Sequence, residues 1–368
     1  MRRAVAEVAT VLQQLDNAVE HLGLNTHQLR HLRALKDCRT AALGGHVDAC
    51  TDCGVVHISY YSCRNRHCPT SHGHKRESWM QKRTEELLPV PYFHVVFTLP
   101  GELNALCMLH PKLCYDTLFA AAWQTLQAFG TKQNLQMGMI AILHTWGQNL
   151  SLHPHLHCIV PGGGVDPNSS FKPIRADGKY LFSVKAMGKI FRAKYVAGLR
   201  ENGVKDKALF DALFSKNWVV YAKRPFGNVH SVIEYLGRYT HKVAISNSRI
   251  KEVSKTHTSF ELKDYKQDGK KQILRLKNAA FVRRFAQHIL PQRFVRIRHY
   301  GILSSTWKRK KLAQLQRQMN VQIIKAEPQT KLRCCPDCKK PTLITIAIFG
   351  NKGPPKMYLL ETPSVPAM

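Results

Sequence analysis

Between Trp146 and Gly164 the chain reads WGQNLSLHPHLHCIVPGGG. Apolar and polar positions alternate there with a period of two, which predicts a strand whose successive side chains face opposite ways. His153, His155 and His157 then share one face, spaced about 7 Å from one to the next. Leu152, Leu156 and Cys158 share the other. Pro161 and three glycines end the strand and leave room for something bulky to approach the backbone. Other short apolar runs read the same way: PYFHVVFTL at 91–99, stopped by Pro100-Gly101, MGMIAILHT at 137–145, which runs into the histidine strand, and NWVVYAK at 217–223. A period near 3.6 predicts helix within 1–36, where Leu12, Leu15, Val19, Leu22 and Leu24 make a stripe. The same period marks 113–129, where Leu118, Ala121, Ala122 and Leu126 fall in phase.

Beyond a Gly/Pro/Asn loop from Asp166 to Asp177, residues 184–215 read as two basic helices and 242–276 as short strands. Asp268-Gly269 is a hairpin turn between two of those strands. An amphipathic helix is expected over 278–290, with Arg283 and Arg284 outward. A strand follows over FVRIRHYGIL (294–303), with Arg296 and Arg298 on one face, and then a basic helix from Trp307 through Lys308, Arg309, Lys310 and Lys311. After about residue 350 there are prolines and no periodicity. These elements divide into an N-terminal helix and cysteine-rich region (1–85), a central domain (86–305), and a basic helix, cysteine knuckle and tail (306–368).

Charge adds a partner. Lys and Arg number 55 against 24 acidic residues, a formal charge of +31 over 368 residues. That excess fits a polyanion, most simply nucleic acid, with binding that weakens as salt rises. No apolar run is long enough to span a membrane, and the N-terminal stretch is broken by Glu7, Gln13, Gln14 and Asp16, which fits an amphipathic helix better than an export signal. A cytoplasmic location is expected.

The eleven cysteines are clustered, five between Cys38 and Cys68 and three at Cys334, Cys335 and Cys338. In a reducing compartment such clusters suggest zinc rather than disulfides. Cys50-x-x-Cys53-Gly is a knuckle that points two thiolates at one tetrahedral ion. A partner pair would start at Cys68-Pro69, but its closing position holds Ser71. Cys50, Cys53 and Cys68 are therefore three candidate ligands, with Cys63, His72, His74 or His67 to close the site. Cys334-Cys-Pro-Asp-Cys338 is a second knuckle without a visible partner pair. Arg64, Arg66 and Arg76 stud the first cluster and suggest a reader of duplex or hairpin DNA.

One histidine on a strand is ordinarily solvated or hydrogen-bonded; three in phase point to a divalent ion. His155 and His157 are the core of such a site. The third ligand is open among His153, Gln148, His144 and Glu234. Downstream, Tyr235 and Tyr239 are four apart, so on a helix they lie one turn from each other on nearly one face. Such a pair is commonly core packing. Beside a metal, two phenols are candidate nucleophiles. A divalent cation on the non-bridging oxygens and an in-line nucleophile open a phosphodiester. Attack by tyrosine leaves a covalent 5′-phosphotyrosine and a free 3′-hydroxyl, so that the strand can be rejoined elsewhere. Arg238 and His241 are placed near the phosphate by their closeness to Tyr239.

HPHLHCIVPGGG (153–164), EYLGRYTHKVAISN (234–247), RRF…LP…FVRIRHYG (283–301) and CRTAALGGHVDAC…C…SCRNRHCP (38–69) together resemble the rolling-circle transposases of the insertion-sequence ninety-one family, within the His-hydrophobe-His endonuclease superfamily. The resemblance spans about 35–312. It implies an α+β fold, an antiparallel sheet flanked by helices with a small N-terminal zinc-binding domain. It also implies cleavage and transfer of single-stranded DNA with Mg²⁺ or Mn²⁺, a metal pair at His155 and His157, nucleophiles at Tyr235 and Tyr239, and structural Zn²⁺ at Cys50, Cys53 and Cys68. The expected partners are the single-stranded and hairpin ends of a mobile element, target DNA and, since no P-loop is present, a host helicase. Two rival readings stay open: a rolling-circle replication initiator, and a zinc-stapled DNA-binding protein without catalysis.

Overall fold

The histidine stretch is the middle strand of a five-stranded antiparallel sheet. The computed structural model describes residues 6–71, 79–80, 82–223, 231–232, 237, 242–264, 268–321 and 333–359. In chain order its strands are β1 (Gly45–Cys50), β2 (Val56–Tyr60), β3 (Tyr92–Thr98), β4 (Gly138–Trp146), β5 (Leu152–Pro161), β6 (Gly163–Val165), β7 (Phe171–Pro173), β8 (Val220–Lys223), β9 (Ile250–Val253), β10 (His257–Asp264), β11 (Lys270–Lys277), β12 (Ile297–Gly301) and β13 (Leu343–Phe349). The fold is α+β, with antiparallel sheets flanked by helices.

The chain forms two compact units, and both are discontinuous in sequence. One comprises Met1–Glu77, Ile245–Ile289 and Glu327–Met368; the other comprises Ser78–Ala244 and Leu290–Ala326. The division therefore differs from three consecutive regions: 327–368 joins the N-terminal unit, and 245–289 leaves the central stretch for it.

The unit around the histidine strand holds the sheet in the order β12-β4-β5-β3-β8. Alternation decides its two faces. Phe93, Val95 and Phe97 of β3, Met139, Ala141 and Leu143 of β4, and Leu156, Cys158 and Val160 of β5 enter one large core. The helices Pro111–Thr131 and Val184–Glu201 supply Leu118, Ala122, Leu126, Phe191 and Tyr195 to the same core. The opposite face carries Tyr92, Ile142 and Ile159, which cluster with Leu87 and Val232. On that face the histidines interrupt the apolar pattern. A helical segment follows β12, from Ser305 to Gln318, capped by the Ser304 hydroxyl and π-helical over Lys308–Leu312.

The glycines after β5 receive the chain's own backbone rather than an outside group. Gly163 pairs with Pro173 of β7, and a Cβ on it would meet the Lys172 carbonyl oxygen at 2.2 Å. A Cβ on Gly164 would meet the Gln136 carbonyl at 2.7 Å. Only glycine allows strands to approach so closely. The pairing also makes a short strand of Phe171–Pro173, inside the stretch the sequence suggests is loop.

In the other unit, the helices Val8–Leu15 and Thr26–Lys36 meet the helix Asn278–Ala286 through side chains that reach backbone: Gln28 Nε2 donates to Ala286 O at 3.1 Å and Arg283 Nε to Leu22 O at 3.2 Å. Asn25 caps the second helix, in a capping box with Gln28. Two three-stranded sheets complete the unit, β11-β10-β9 and β13-β1-β2. In the second of these the C-terminal strand lies along β1, pairing Gly45 with Phe349 and Cys50 with Leu343.

Candidate metal centre and nucleic-acid surface

Three imidazoles converge on the sheet face opposite the large core: His144 of β4 and His155 and His157 of β5, with one ring nitrogen from each within 4.8 Å of the others. Cross-strand register explains the set. His144 pairs directly with His155, and directly opposed residues bring their Cβ atoms to about 4.5–5.5 Å. His153 lies farther along the strand, is exposed, and stands outside this cluster. Its ring centroid is 5.1 Å from that of His155. The third imidazole thus comes from a neighbouring strand rather than from the next in-phase position of the same one, because pairing brings groups closer than the two-residue repeat does.

The ring nitrogens are oriented. His155 Nδ1 donates to the His153 carbonyl at 2.6 Å, which leaves its Nε2 as the lone-pair nitrogen. His157 Nδ1 stands 2.9 Å from Nε2 of His94, and their rings stack with centroids 5.1 Å apart. His94 belongs to β3, is buried, and went unrecognised in the sequence, where it is one histidine in an apolar run. Burial pulls His155 and His94 down to about 4, and Lys223 also lowers His94. Burial lowers His157 further, aided by its histidine neighbours. His94, His155 and His157 are therefore neutral near pH 7, and the neutral imidazole is the form that ligates metal. Among the described residues no carboxylate joins the cluster. Three imidazole nitrogens suit a transition ion such as Mn²⁺ better than Mg²⁺, which prefers oxygen ligands. Lys242 places a positive charge near His155 and His157 and helps to lower both. Tyr235, Tyr239, Arg238, Glu234 and His241 lie outside the described residues.

The cysteines form two clusters, not the single site expected from sequence. Cys38, Cys63 and Cys68 converge in one, with Cys68 Sγ 3.5 Å from Cys38 Sγ. The Ser71 hydroxyl lies 3.4 Å from Cys38 Sγ and 3.5 Å from Cys63 Sγ, in the place of a fourth thiol. Cys50 and Cys53 do not share a site with Cys68. They meet Cys335 and Cys338 instead. The reason is the strand pairing: Cys68-x-x-Ser71 closes on Cys38 and Cys63, whereas β13 brings the late knuckle alongside the end of β1. His67 is buried beside Arg66, whose Nε stands 3.3 Å from its Nε2, and takes no part in either cluster. His72, His74 and Arg76 lie outside the described residues.

The basic residues are not equivalent. Arg64 is exposed. Arg296 donates to the Lys242 carbonyl at 3.1 Å. Arg298 pairs with Asp116 and lies over the rings of Phe119 and Phe294, at 4.2 and 5.1 Å. Lys308 is largely covered and pairs with Glu86. Arg309 and Lys310, next to it on the π-helical turn, are exposed.

Comparison with known proteins now decides the family. A model described as "Putative transposase" matches residues 138–311, and one described as a transposase zinc-binding domain matches residues 10–99. The y4qJ protein of Sinorhizobium fredii, which carries the same description as the first model, is 37% identical over 97% of this chain and 99% of its own length. The chain belongs to the insertion-sequence ninety-one family of transposases. The transposase for insertion sequence element IS801 of Pseudomonas savastanoi is 26% identical over 82% of this chain and 77% of its own. No solved structure matches. As a transposase the protein has DNA as its partner, and the zinc-binding-domain match together with the thiol clusters supports structural zinc. Among the described residues no helix is long and apolar enough to cross a membrane.

Proposed function

We propose that this transposase cleaves and rejoins single-stranded DNA through a 5′-phosphotyrosine intermediate, in rolling-circle transposition. The observation that carries the reading is the convergence of His144, His155 and His157 on one sheet face. Bound there, Mn²⁺ or Mg²⁺ would neutralise the non-bridging oxygens of the scissile phosphate and hold it for in-line attack. His144, His155 and His157 are its proposed ligands, and His94 orients His157. With His157 coordinating through Nε2, its Nδ1–H donates to His94, an outer hydrogen bond that fixes tautomer and ring.

Tyr235 or Tyr239 supplies the nucleophile. Its phenolic oxygen forms the new bond to phosphorus, the bond to the 3′ oxygen breaks, and that oxygen leaves as a 3′-hydroxyl. The phosphodiester energy is retained in the tyrosyl ester, so a later 3′-hydroxyl can displace the tyrosine without ATP. Support comes from Val232, three residues before Tyr235. It is buried in a cluster with Ile142 and Ile159, which lie on the face of the sheet that carries the histidines. Proposed DNA contacts are Arg64, Arg66, Arg76, Arg238, Arg296, Arg309 and Lys310, with Lys242 at the phosphate. Arg298 and Lys308 serve mainly to hold the fold.

The test is a denaturing gel of the protein with labelled single-stranded DNA from its element's ends. A metal-dependent, protease-sensitive shifted band, absent when Tyr235 and Tyr239 are replaced by Phe, is the expected result. A cut product with no adduct would point instead to hydrolysis by metal-bound water.

A further inference from the structure

The two knuckles at opposite ends of the sequence are near copies of one another. Cys50-Thr-Asp-Cys53-Gly54 and Cys335-Pro-Asp-Cys338-Lys339 share the pattern Cys-x-Asp-Cys, and in each the following residue has positive φ, 73° at Gly54 and 64° at Lys339. Each turn also closes in the same way. Gly54 N donates to Cys50 O and Lys339 N to Cys335 O, both at 3.0 Å. Folding brings the knuckles together: Cys50 Sγ lies 3.6 Å from Cys338 Sγ across 288 residues, and Cys53 Sγ 3.6 Å from Cys335 Sγ across 282. A tetrahedral ion with Zn–S bonds of about 2.3 Å sets its sulfurs about 3.8 Å apart, whereas a disulfide needs about 2.05 Å. The four sulfurs, all within 4.8 Å of one another, therefore suit the corners of a metal tetrahedron, and all four are free thiols. The zinc-binding-domain match ends at residue 99 and covers only half of this set.

We propose that Cys50, Cys53, Cys335 and Cys338 hold a structural zinc ion that clamps the C-terminal strand β13 onto the β1–β2 hairpin. The surroundings of Cys50 favour thiolate. The Cys53 N–H donates to Cys50 Sγ at 3.4 Å, and the Thr342 hydroxyl stands 3.0 Å from the same sulfur. Further bonds bind the two arms around the ion: Lys340 to Asp52 at 2.9 Å, Thr345 Oγ1 to Asp48 at 2.7 Å and His57 Nε2 to Asp337 at 2.9 Å. Closing a loop this long costs entropy, and metal–thiolate bonds supply folding free energy that a short three-stranded sheet lacks. The N-terminal zinc domain is then incomplete until the end of the chain has been made.

Zinc content and alkylation of the full-length protein test this. Measured by native mass spectrometry, the double variant Cys335→Ser with Cys338→Ser should lose one zinc ion per chain, and Cys38→Ser with Cys68→Ser should not disturb the ion at this site. Should the serine variants fail to fold, alkylation of the wild-type chain decides. Cys50, Cys53, Cys335 and Cys338 should resist iodoacetamide together and be released together by chelator. Cys334, half-buried beside them and outside the set, should react throughout. Cys53 is the most informative, because it is exposed and only a bound ion would protect it. Unchanged zinc in the Cys335/Cys338 variant, or Cys53 and Cys338 reacting at the rate of Cys334 in the zinc-replete chain, would overturn the proposal.

Discussion

Nδ1 of His157 and Nε2 of His94 lie 2.9 Å apart, on adjacent strands β5 and β3, with their rings stacked. The pairing commits the Nδ1 side of His157 to the protein and leaves the other nitrogen for the cluster with His144 and His155. Removing an outer hydrogen bond of this kind commonly weakens metal binding about 10–100-fold. We expect His94→Leu to raise the Mn²⁺ concentration needed for half-maximal cleavage by that factor while leaving DNA binding in chelator unchanged. His94→Gln, which keeps a polar partner, should recover part of the loss.

The cluster distinguishes two histidines that the sequence treats alike. His144→Ala removes a member of the triad, and we expect it to reduce cleavage by more than about 100-fold, beyond the outer-sphere range. His153→Ala should change it by less than about tenfold, since its main link to the site, the backbone carbonyl that holds His155 Nδ1, survives the substitution. Initial rates of cleavage at saturating Mn²⁺ compare the two.

Period-two alternation makes the histidine strand and its two faces legible, because Leu152, Leu156 and Cys158 enter the large core as the sequence suggests. It leaves His144 as one of four candidates for the third ligand and does not give His94. Both lie on other strands, and register between strands depends on pairing that no single strand encodes. The zinc residues escape for the same reason at longer range. Ser71 does stand at the closing position of a knuckle, but that knuckle closes on Cys38 and Cys63. Cys50 and Cys53 find partners 288 and 282 residues away. One signal could have joined them, the repeated Cys-x-Asp-Cys of the two knuckles. For the basic residues the sequence offers charge alone, which does not separate a guanidinium held by Asp116 from one facing solvent.

That separation can be measured. Arg309→Ala with Lys310→Ala removes two exposed cations. Each phosphate that is no longer neutralised should lower the slope of log affinity against log salt by about 0.7 on single strands, about 1.4 for the pair. Stability should be unchanged. Lys308→Ala should instead cost on the order of 1–3 kcal/mol, since it deprives the half-buried Glu86 of one of two cationic partners, Arg83 remaining at 2.6 Å. Arg298→Ala should cost about 1–2 kcal/mol through the absent ion pair and its place over Phe119. Urea unfolding and fluorescence binding on the same variants check both effects.

Acid should loosen the unit that carries the sheet. Burial pushes His299 down to about 3, with Lys308 and Arg83 adding repulsion, against an ordinary value of 6.5. The folded-state value is depressed, so between those two the unfolded chain binds the extra proton. The contribution is full above about 6.5 and is lost progressively as pH falls toward 3. We expect the urea midpoint to fall between about pH 7 and pH 5, and the fall to be smaller in His299→Leu.

The most direct measurement is covalent capture of single-stranded end DNA by the full-length protein, with and without Mn²⁺, followed by peptide mapping. A Mn²⁺-dependent adduct mapping to Tyr235 or Tyr239, and absent from His155→Ala and His157→Ala, is the expected result. Retained DNA binding with no cleavage, or an adduct indifferent to Mn²⁺ and to both histidines, would contradict it.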